Sequence, residues 1–317
     1  MNSIIDLIKK SDTIAVLGHD SEDADSVGSC YAMKLALLQM GKNAECYFSD
    51  QPELHLAFMG NNYTIFDEDN IPEVDLCLCI DCADLKRIGK RKAIFECAKK
   101  TACIDHHATN TGFADVNYID SDAPAAGEII YEIFKTMKVD ITRVIAENIY
   151  TAISADTGSF KYSNVRPRTM EIVAELLRLN INHAEISRFL YDTEPLFIMK
   201  FKGYIMSNVE QYCGGKLNIV CAPSDVLKKY GVDEKDSGDI VNIARAVEGC
   251  EIAVSIRDAG EKIKLSFRSN GKYSVSNIAG KFGGGGHLMA AGAAVFGKSL
   301  DEVKEEVIKI CEEIING

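Results

Sequence analysis

Nowhere does the chain hold an uninterrupted apolar run approaching the ~20 residues that a bilayer-spanning helix needs, so no membrane segment organises it. A secretory leader is not expected either. Met1-Asn2-Ser3 leads directly into an amphipathic stretch with Asp6, Lys9 and Lys10, without a basic start or a small-residue cleavage site, and a cytoplasmic protein is expected. Basic surplus is also lacking: Asp and Glu outnumber Lys and Arg by 47 to 35, a formal charge of -12. That balance argues against long duplex nucleic acid as the main ligand, because such binding rests on a broad cationic surface. No internal repeat or low-complexity tract is present, and 47% apolar with 26% charged residues excludes a disordered chain. The 317 residues suffice for about two domains with ordinary cores.

The 11 cysteines form no disulfide framework, being odd in number and mostly set within apolar runs, as are Cys77, Cys79, Cys221 and Cys250. They are expected as reduced, buried thiols. Cys79 and Cys82 make a C-x-x-C with no second spaced pair, and Cys77 and Cys79 alternate on one face of a strand, which disfavours a redox pair or half a zinc site.

What the chain does hold is alternation. Strand-like runs at 13–18, 43–48, 75–80 and 101–104 interleave with helical patterns, predicting an α/β fold with a parallel sheet covered by helices. Val27, Tyr31, Leu35 and Leu38 are at helical spacing and the pattern stops at Gly41, so a helix begins right after Asp25. Helical periodicity returns at 127–137, 142–154, 168–179, 182–192 and 195–208, and the domain boundary is placed within 190–210. Beyond it the pattern changes to a smaller α/β lobe. Hairpin signals lie at Gly214-Gly215 and Asp258-Ala259-Gly260, the latter between the alternating runs EIAVSIR and KIKLSFR. A helix at 275–281, a strand at 290–296 and a helix at 299–315 complete it. The active site is expected in a cleft between the two lobes.

Four segments each end an apolar, strand-like run on a carboxylate or imidazole: IAVLGHD at 14–20, VDLCLCID at 74–81, ACIDHH at 102–107 and IYTAISAD at 149–156. His19, Asp23 and Asp25 fall between the first strand and its helix, where open α/β sheets place ligands. Singly, an Asp after a strand reads as a cap or turn residue. Together these groups read as a dinuclear metal site. Asp23, Asp25, Asp81 and Asp156, once brought together, repel by about 4 kcal/mol per pair at ~4 Å and an effective dielectric near 20. Cations or protons must therefore offset them. Carboxylate oxygens mixed with imidazole suit Mn2+, with Mg2+, Co2+ or Zn2+ as alternatives. His55 and His183 lack this context and are expected as surface or core residues.

A second constellation lies near the C-terminus. Gly283, Gly284, Gly285 and Gly286 permit close backbone approach and could point several amides at an anion, although a flexible turn explains a glycine run equally well. His287 directly after the run, and Arg268 closing a separate strand, favour phosphate binding, since guanidinium grips phosphate with two parallel hydrogen bonds. The basic cluster Lys86, Arg87, Lys90, Arg91 and Lys92 reads better as a solvated helix face than as a nucleic-acid track. Phe160 and Tyr162 suit base stacking and core packing about equally.

At this point a resemblance becomes specific. Residues 19–29 (HDSEDADSVGS), Ile80-Asp81-Cys82-Ala83-Asp84, Asp105-His106-His107 and 154–160 (SADTGSF) resemble the four motifs of the DHH phosphoesterase superfamily. Ser266-Phe267-Arg268-Ser269 and Gly283 to His287 are similar to substrate-binding elements of its associated C-terminal domain. The likeness covers nearly the whole chain and is greatest to the nanoRNase and pAp phosphatase family. Glu22 and Ala24 stand where relatives commonly have Pro and Gly. The resemblance implies a catalytic metal-binding domain at 1–190, a helical linker at 191–210 and a substrate-binding domain at 211–317. It implies one metal held by His19, Asp23, Asp81 and Asp156 and a second by Asp25, Asp81 and His106, with Asp81 bridging. His107 would face the substrate phosphate, Asp105 would orient an imidazole, and Ser266, Arg268, the glycine run and His287 would hold the substrate.

Two cations about 3.5–4 Å apart would then activate a water for in-line attack on phosphorus. The expected activity is hydrolysis of short single-stranded RNA or DNA oligonucleotides to mononucleotides and removal of the 3′-phosphate of pAp. A cyclic-dinucleotide or linear dinucleotide (pApA-type) phosphodiesterase is the alternative enzyme, and a nucleotide sensor without turnover the alternative of another class. No membrane partner is expected, and the assembly is left open between monomer and homodimer.

Overall fold

The computed structural model describes all residues except Ser21, Glu53 and Gly317, and the side chains of Leu54, His55 and Lys235 also lie outside the description. The chain divides into two compact units, Met1–Thr193 and Glu194–Gly317.

In the first unit the elements follow as α1 (Asn2–Lys10), β1 (Thr13–Leu17), α2 (Ala24–Gln39), β2 (Asn43–Phe48), β3 (Thr64–Ile65), β4 (Leu76–Ile80), α3 (Lys92–Cys97), β5 (Lys100–Asp105), β6 (Val116–Ile119), α4 (Ala126–Met137), α5 (Arg143–Asp156), α6 (Pro167–Leu177) and α7 (His183–Ser187). A π-helical turn, Arg188–Asp192, closes it. All six strands are parallel, in the order β3-β2-β1-β4-β5-β6. Both faces of the central strands are covered, so β4 is buried along its whole length. Alternate residues feed opposite layers. Ile14, Val16, Leu76, Leu78 and Ile104 join the larger core with α1, α2, α4 and α5, while Ala15, Leu17, Cys77, Cys79 and Cys103 pack on the other side against Phe95 of α3. Cys79 and Cys82 thus sit in an apolar layer. The strand order reverses between β1 and β4, and the crevice beyond the carboxyl ends at such a reversal is where doubly wound sheets take ligands.

One expectation is corrected here. The run at 149–156 is the last part of helix α5, so Asp156 ends a helix and not a strand. Its apolar run is continuous because α5 is packed against both α2 and α4, and continuous apolarity cannot separate a buried helix from a buried strand.

The second unit contains α8 (Leu196–Ser207), β7 (Glu210–Tyr212), β8 (Leu217–Ala222), α9 (Ser224–Tyr230), α10 (Val241–Arg245), β9 (Ile252–Asp258), β10 (Lys262–Ser269), α11 (Val275–Lys281), β11 (Gly285–Gly286), β12 (Ala290–Phe296) and α12 (Leu300–Asn316). Its mixed sheet runs β11-β12-β10-β9-β8-β7, with only the β8–β9 pair parallel. Both hairpins read from the sequence are present, β7–β8 and β9–β10. The α11 and α12 helices cover one face; α8, α9 and α10 cover the other. No helix among the described residues is long and apolar enough to cross a membrane.

Candidate metal centre

Because β1, β4 and β5 are adjacent and parallel, their carboxyl ends deliver His19, Asp81 and the Asp105-His106-His107 segment to one edge of the sheet. Asp23 caps the following helix, its Oδ1 accepting from the Ser26 amide at 3.0 Å. Asp25 lies in the first turn and is fully buried. Two glycines draw the helices together: a Cβ on Gly28 would stand 2.6 Å from the Asn148 carbonyl, and one on Gly127 2.6 Å from the Ala152 Cβ. This close packing of α2 and α4 on α5 brings Asp25 and Asp156 to the same centre.

Distances divide the cluster. His19 Nε2 lies 3.4 Å from Asp23 Oδ2 and 3.6 Å from Asp81 Oδ2. His106 Nε2 lies 3.3 Å from Asp81 Oδ1, 3.4 Å from Asp156 Oδ2 and 3.8 Å from Asp25 Oδ2. Two sets able to hold an ion are therefore His19, Asp23, Asp81 and Asp25, His106, Asp156; Asp81 with His106 and His107 makes a third. Asp156 groups with Asp25 and His106, where the resemblance had paired it with His19 and Asp23. Asp81 stands between the sets. Its φ of 57° places it in the left-handed region, which a non-glycine residue enters at a cost of about 1–2 kcal/mol and which Asp tolerates better than most. Its amide donates to the Ile104 carbonyl at 2.9 Å, holding that turn.

The hydrogen bonds around the cluster identify what it lacks. His19 Nδ1 is 2.9 Å from the Asp20 carbonyl and His106 Nδ1 is 3.3 Å from that of Ala123. A neutral ring donating through Nδ1 turns the Nε2 lone pair onto the carboxylates, which repels unless a cation or proton intervenes. Among the described residues, Asp81 Oδ1 and His106 Nε2 are buried without a hydrogen-bond partner. Unfilled donor atoms of this kind, imidazole beside carboxylate, fit divalent cations. Without cations the site must hold protons. Burial opposes the charged form of His19, but hydrogen bonding and charge from Asp23, then the charge of Asp81, raise its pKa to about 9. Likewise, against burial, Asp81, Asp25 and Asp156 raise His106 to about 10. Burial and the Asp81 charge lift Asp25 to about 7. Asp156 is driven well up by burial and by Asp25, Asp23 and Asp81, and the carbonyl end of α5 acts in the same direction.

Beside the cluster, the buried Asp105 Oδ1 accepts from His107 Nδ1 at 2.8 Å and from the His106 amide at 2.9 Å, while its Oδ2 accepts from Asn110 at 2.6 Å. Although burial favours its neutral form, the bonds from His107 and Asn110 keep its pKa below the ordinary value. The imidazole held by Asp105 is thus that of His107. Asn110, three residues on, carries no pattern in the sequence that would have marked it. Asp25 is held by the α4 amides of Ala126 (2.6 Å) and Gly127 (3.0 Å) and by the Ser29 hydroxyl (3.0 Å).

Other expected residues fall in several places. Phe160 packs on the larger core beside Tyr150, whereas Tyr162 is half exposed. Of the basic cluster, Lys86, Arg87, Lys90 and Lys92 are exposed, but Arg91 is fully buried, which the reading as a solvated face did not foresee. His183 is exposed at the start of α7; the His55 side chain lies outside the described residues.

In the second unit, Ser266 and Arg268 share one face of β10. Ser266 Oγ accepts from Arg257 Nη2 at 3.0 Å, and the buried Arg257 is paired with Glu234 at 2.7 Å, a support the motif did not announce. The glycine run differs from an open anion nest. Gly283, with φ 73°, ends α11, where its amide bonds to Gly280 and that of Gly284 to Ala279, while the His287 amide bonds to Ala290. A Cβ on Gly284 would come 2.6 Å from the Ala293 Cβ, and one on Gly286 2.6 Å from the Ala290 carbonyl. These glycines thus serve helix termination and close packing on β12. Gly285, Gly286 and His287 are exposed.

Fold and cluster together define a two-unit α/β protein with a carboxylate and imidazole centre able to take divalent cations. Residues 13–153 match the DHH family, N-terminal domain, and residues 217–316 match the DHHA1 domain. The chain is 32% identical over 302 residues to the Thermus thermophilus protein named bifunctional oligoribonuclease and PAP phosphatase NrnA, spanning 95% of this chain and 89% of that one. It is 27% identical to the Bacillus subtilis protein of the same name, with 98% of each covered. The crystal structure of an exopolyphosphatase-related protein from Bacteroides fragilis superposes with a TM-score of 0.92 at 25% identity, covering 100% of this chain and 97% of that one. Exonuclease RecJ bound to manganese shares the fold, with a TM-score of 0.55 at 14% identity and coverage of 97% and 93%. The chain belongs to the DHH family of phosphoesterases, in the group of the bifunctional oligoribonucleases and PAP phosphatases.

Proposed function

We propose that this protein hydrolyses short oligoribonucleotides to mononucleotides and removes the 3′-phosphate of pAp, using divalent cations held by His19, Asp23 and Asp81 and by Asp25, His106, Asp156 and Asp81. The observation that carries the reading is the pair of buried atoms Asp81 Oδ1 and His106 Nε2, which face each other at 3.3 Å without a well-formed hydrogen bond where the candidate ligand groups meet. The names of the relatives support the substrate class. We assign manganese as the ion because the donors mix imidazole and carboxylate. When bound, the cations supply a nucleophilic water near neutral pH and positive charge against the phosphate oxygens. The protein side chains do the rest. His107, held at Nδ1 by Asp105, meets the phosphate and steadies charge as it builds. Arg268 and Ser266 bind a phosphate, and Gly285, Gly286 and His287 position the terminal nucleotide.

The test is hydrolysis of pApA and pAp by the purified protein with Mn2+, compared with Asp81→Asn. Asparagine accepts the left-handed backbone of position 81, so this variant should fold yet fall to background on both substrates. Retained hydrolysis would remove Asp81 from the centre.

A further inference from the structure

We propose that Arg91 is a positioning residue for one half of the metal centre, acting as a buried clamp on Asp20 and Glu22, which lie in sequence between His19 and Asp23. Its guanidinium is fully buried, with Nη1 2.8 Å from Glu22 Oε1 and Nη2 3.6 Å from Asp20 Oδ1. The same Nη1 donates to the Tyr47 carbonyl on β2 at 2.9 Å. Glu22 is itself nearly without exposure, so the pair forms out of water between the two ligands His19 and Asp23 on one side and the segment after β4 on the other. A second tie runs parallel to it: the Asp20 amide donates to the Arg87 carbonyl. Gly89, with φ 57°, makes room, since a Cβ there would come within 2.9 Å of the Asp20 carboxylate.

Such a pair gives little net stability, because desolvating two charges offsets most of their attraction and well-packed apolar replacements are often neutral or better. What it does give is a fixed placement of Asp20 and Glu22 beside the candidate ligands. The other half of the centre is held by different means, with Asp25 on the α4 amides and His106 on the Ala123 carbonyl. The clamp therefore acts on the His19, Asp23 and Asp81 set alone.

This inference rests on the metal reading above, and one titration separates the two. Calorimetry of the wild-type protein with Mn2+ should show two ions bound; no binding at all would defeat the functional reading itself. In Glu22→Met/Arg91→Met the metal-free melting temperature should match or exceed that of wild type, while one of the two Mn2+ affinities weakens about 10- to 100-fold, the usual effect of losing a group that orients metal ligands. A folded double variant that binds both ions with wild-type affinity would overturn the clamp, as would equal weakening of both. Should the double variant not fold, Glu22→Gln keeps the side-chain shape while removing the charge. It should weaken the same single affinity, and unchanged binding of both ions would likewise refute the role.

Discussion

Asp81 concentrates the demands of the site in one residue: a left-handed backbone, a carboxylate that belongs to two of the three candidate groups, and one buried oxygen that makes no hydrogen bond. In the metal-free fold its repulsion with Asp25 and Asp156 is offset by attraction to protonated His19 and His106, a role that bound cations would take over. Asp81→Asn should therefore lose most of the stabilisation by Mn2+ expected of wild type, which thermal scans with and without the ion would check. A rise in melting temperature with Mn2+ equal to that of wild type would contradict that account. Arg268→Ala removes a charged hydrogen-bond donor, a loss of about 1.5–3 kcal/mol, so kcat/KM for pAp should fall roughly 10- to 150-fold. Kinetics matching wild type would dismiss it from the substrate site. At this scale the residues that gather in the cluster were legible because chemistry limits which side chains could ligate a cation. Arg91, Arg257 and Asn110 were not, since their work is done through other residues and depends on burial that composition hides.

Parallel strands ending on polar residues were readable as elements because β1, β4 and β5 are largely apolar on both faces and stop abruptly at the carboxylates and imidazoles of the cluster. The α5 helix was harder: its buried length mimics a strand next to Asp156 even though its earlier part has helical spacing. The glycine run, read from the sequence for anion binding, also has a packing role that the sequence did not announce: two of its residues lie close against β12 and a third ends α11. Gly127 tests the helix packing behind the centre. Gly127→Ala places a methyl 2.6 Å from the Ala152 Cβ and should destabilise the protein by about 1–3 kcal/mol. Because Gly127 also donates to Asp25, Mn2+ affinity should decline as well, measurable in the same denaturation and titration series. Unaltered stability would mean that the helices have slack there.

Across the whole molecule, the proton load of the metal-free centre makes stability depend on pH in a defined direction. Asp25 is raised from an ordinary 3.8 to about 7 and His19 from 6.5 to about 9, so the folded protein binds protons that the unfolded chain releases. Their stabilising effect is complete below the unfolded values and is lost as pH rises through the folded ones. In chelator the melting temperature should drop between about pH 4 and 9, first as Asp25 and then as His19 gives up its proton, and Mn2+ should restore it most at the alkaline end. A flat profile in chelator would contradict this. The two-unit division follows from the change of pattern near residue 195, where parallel alternation gives way to hairpins. The outermost strands of the two sheets have a separate consequence. They are only two and four residues long in the first unit and two and three in the second. An extended peptide or a neighbouring copy finds too short a ladder to extend either sheet, so any self-association must use side-chain surfaces, and amyloid-like stacking has little template from which to start.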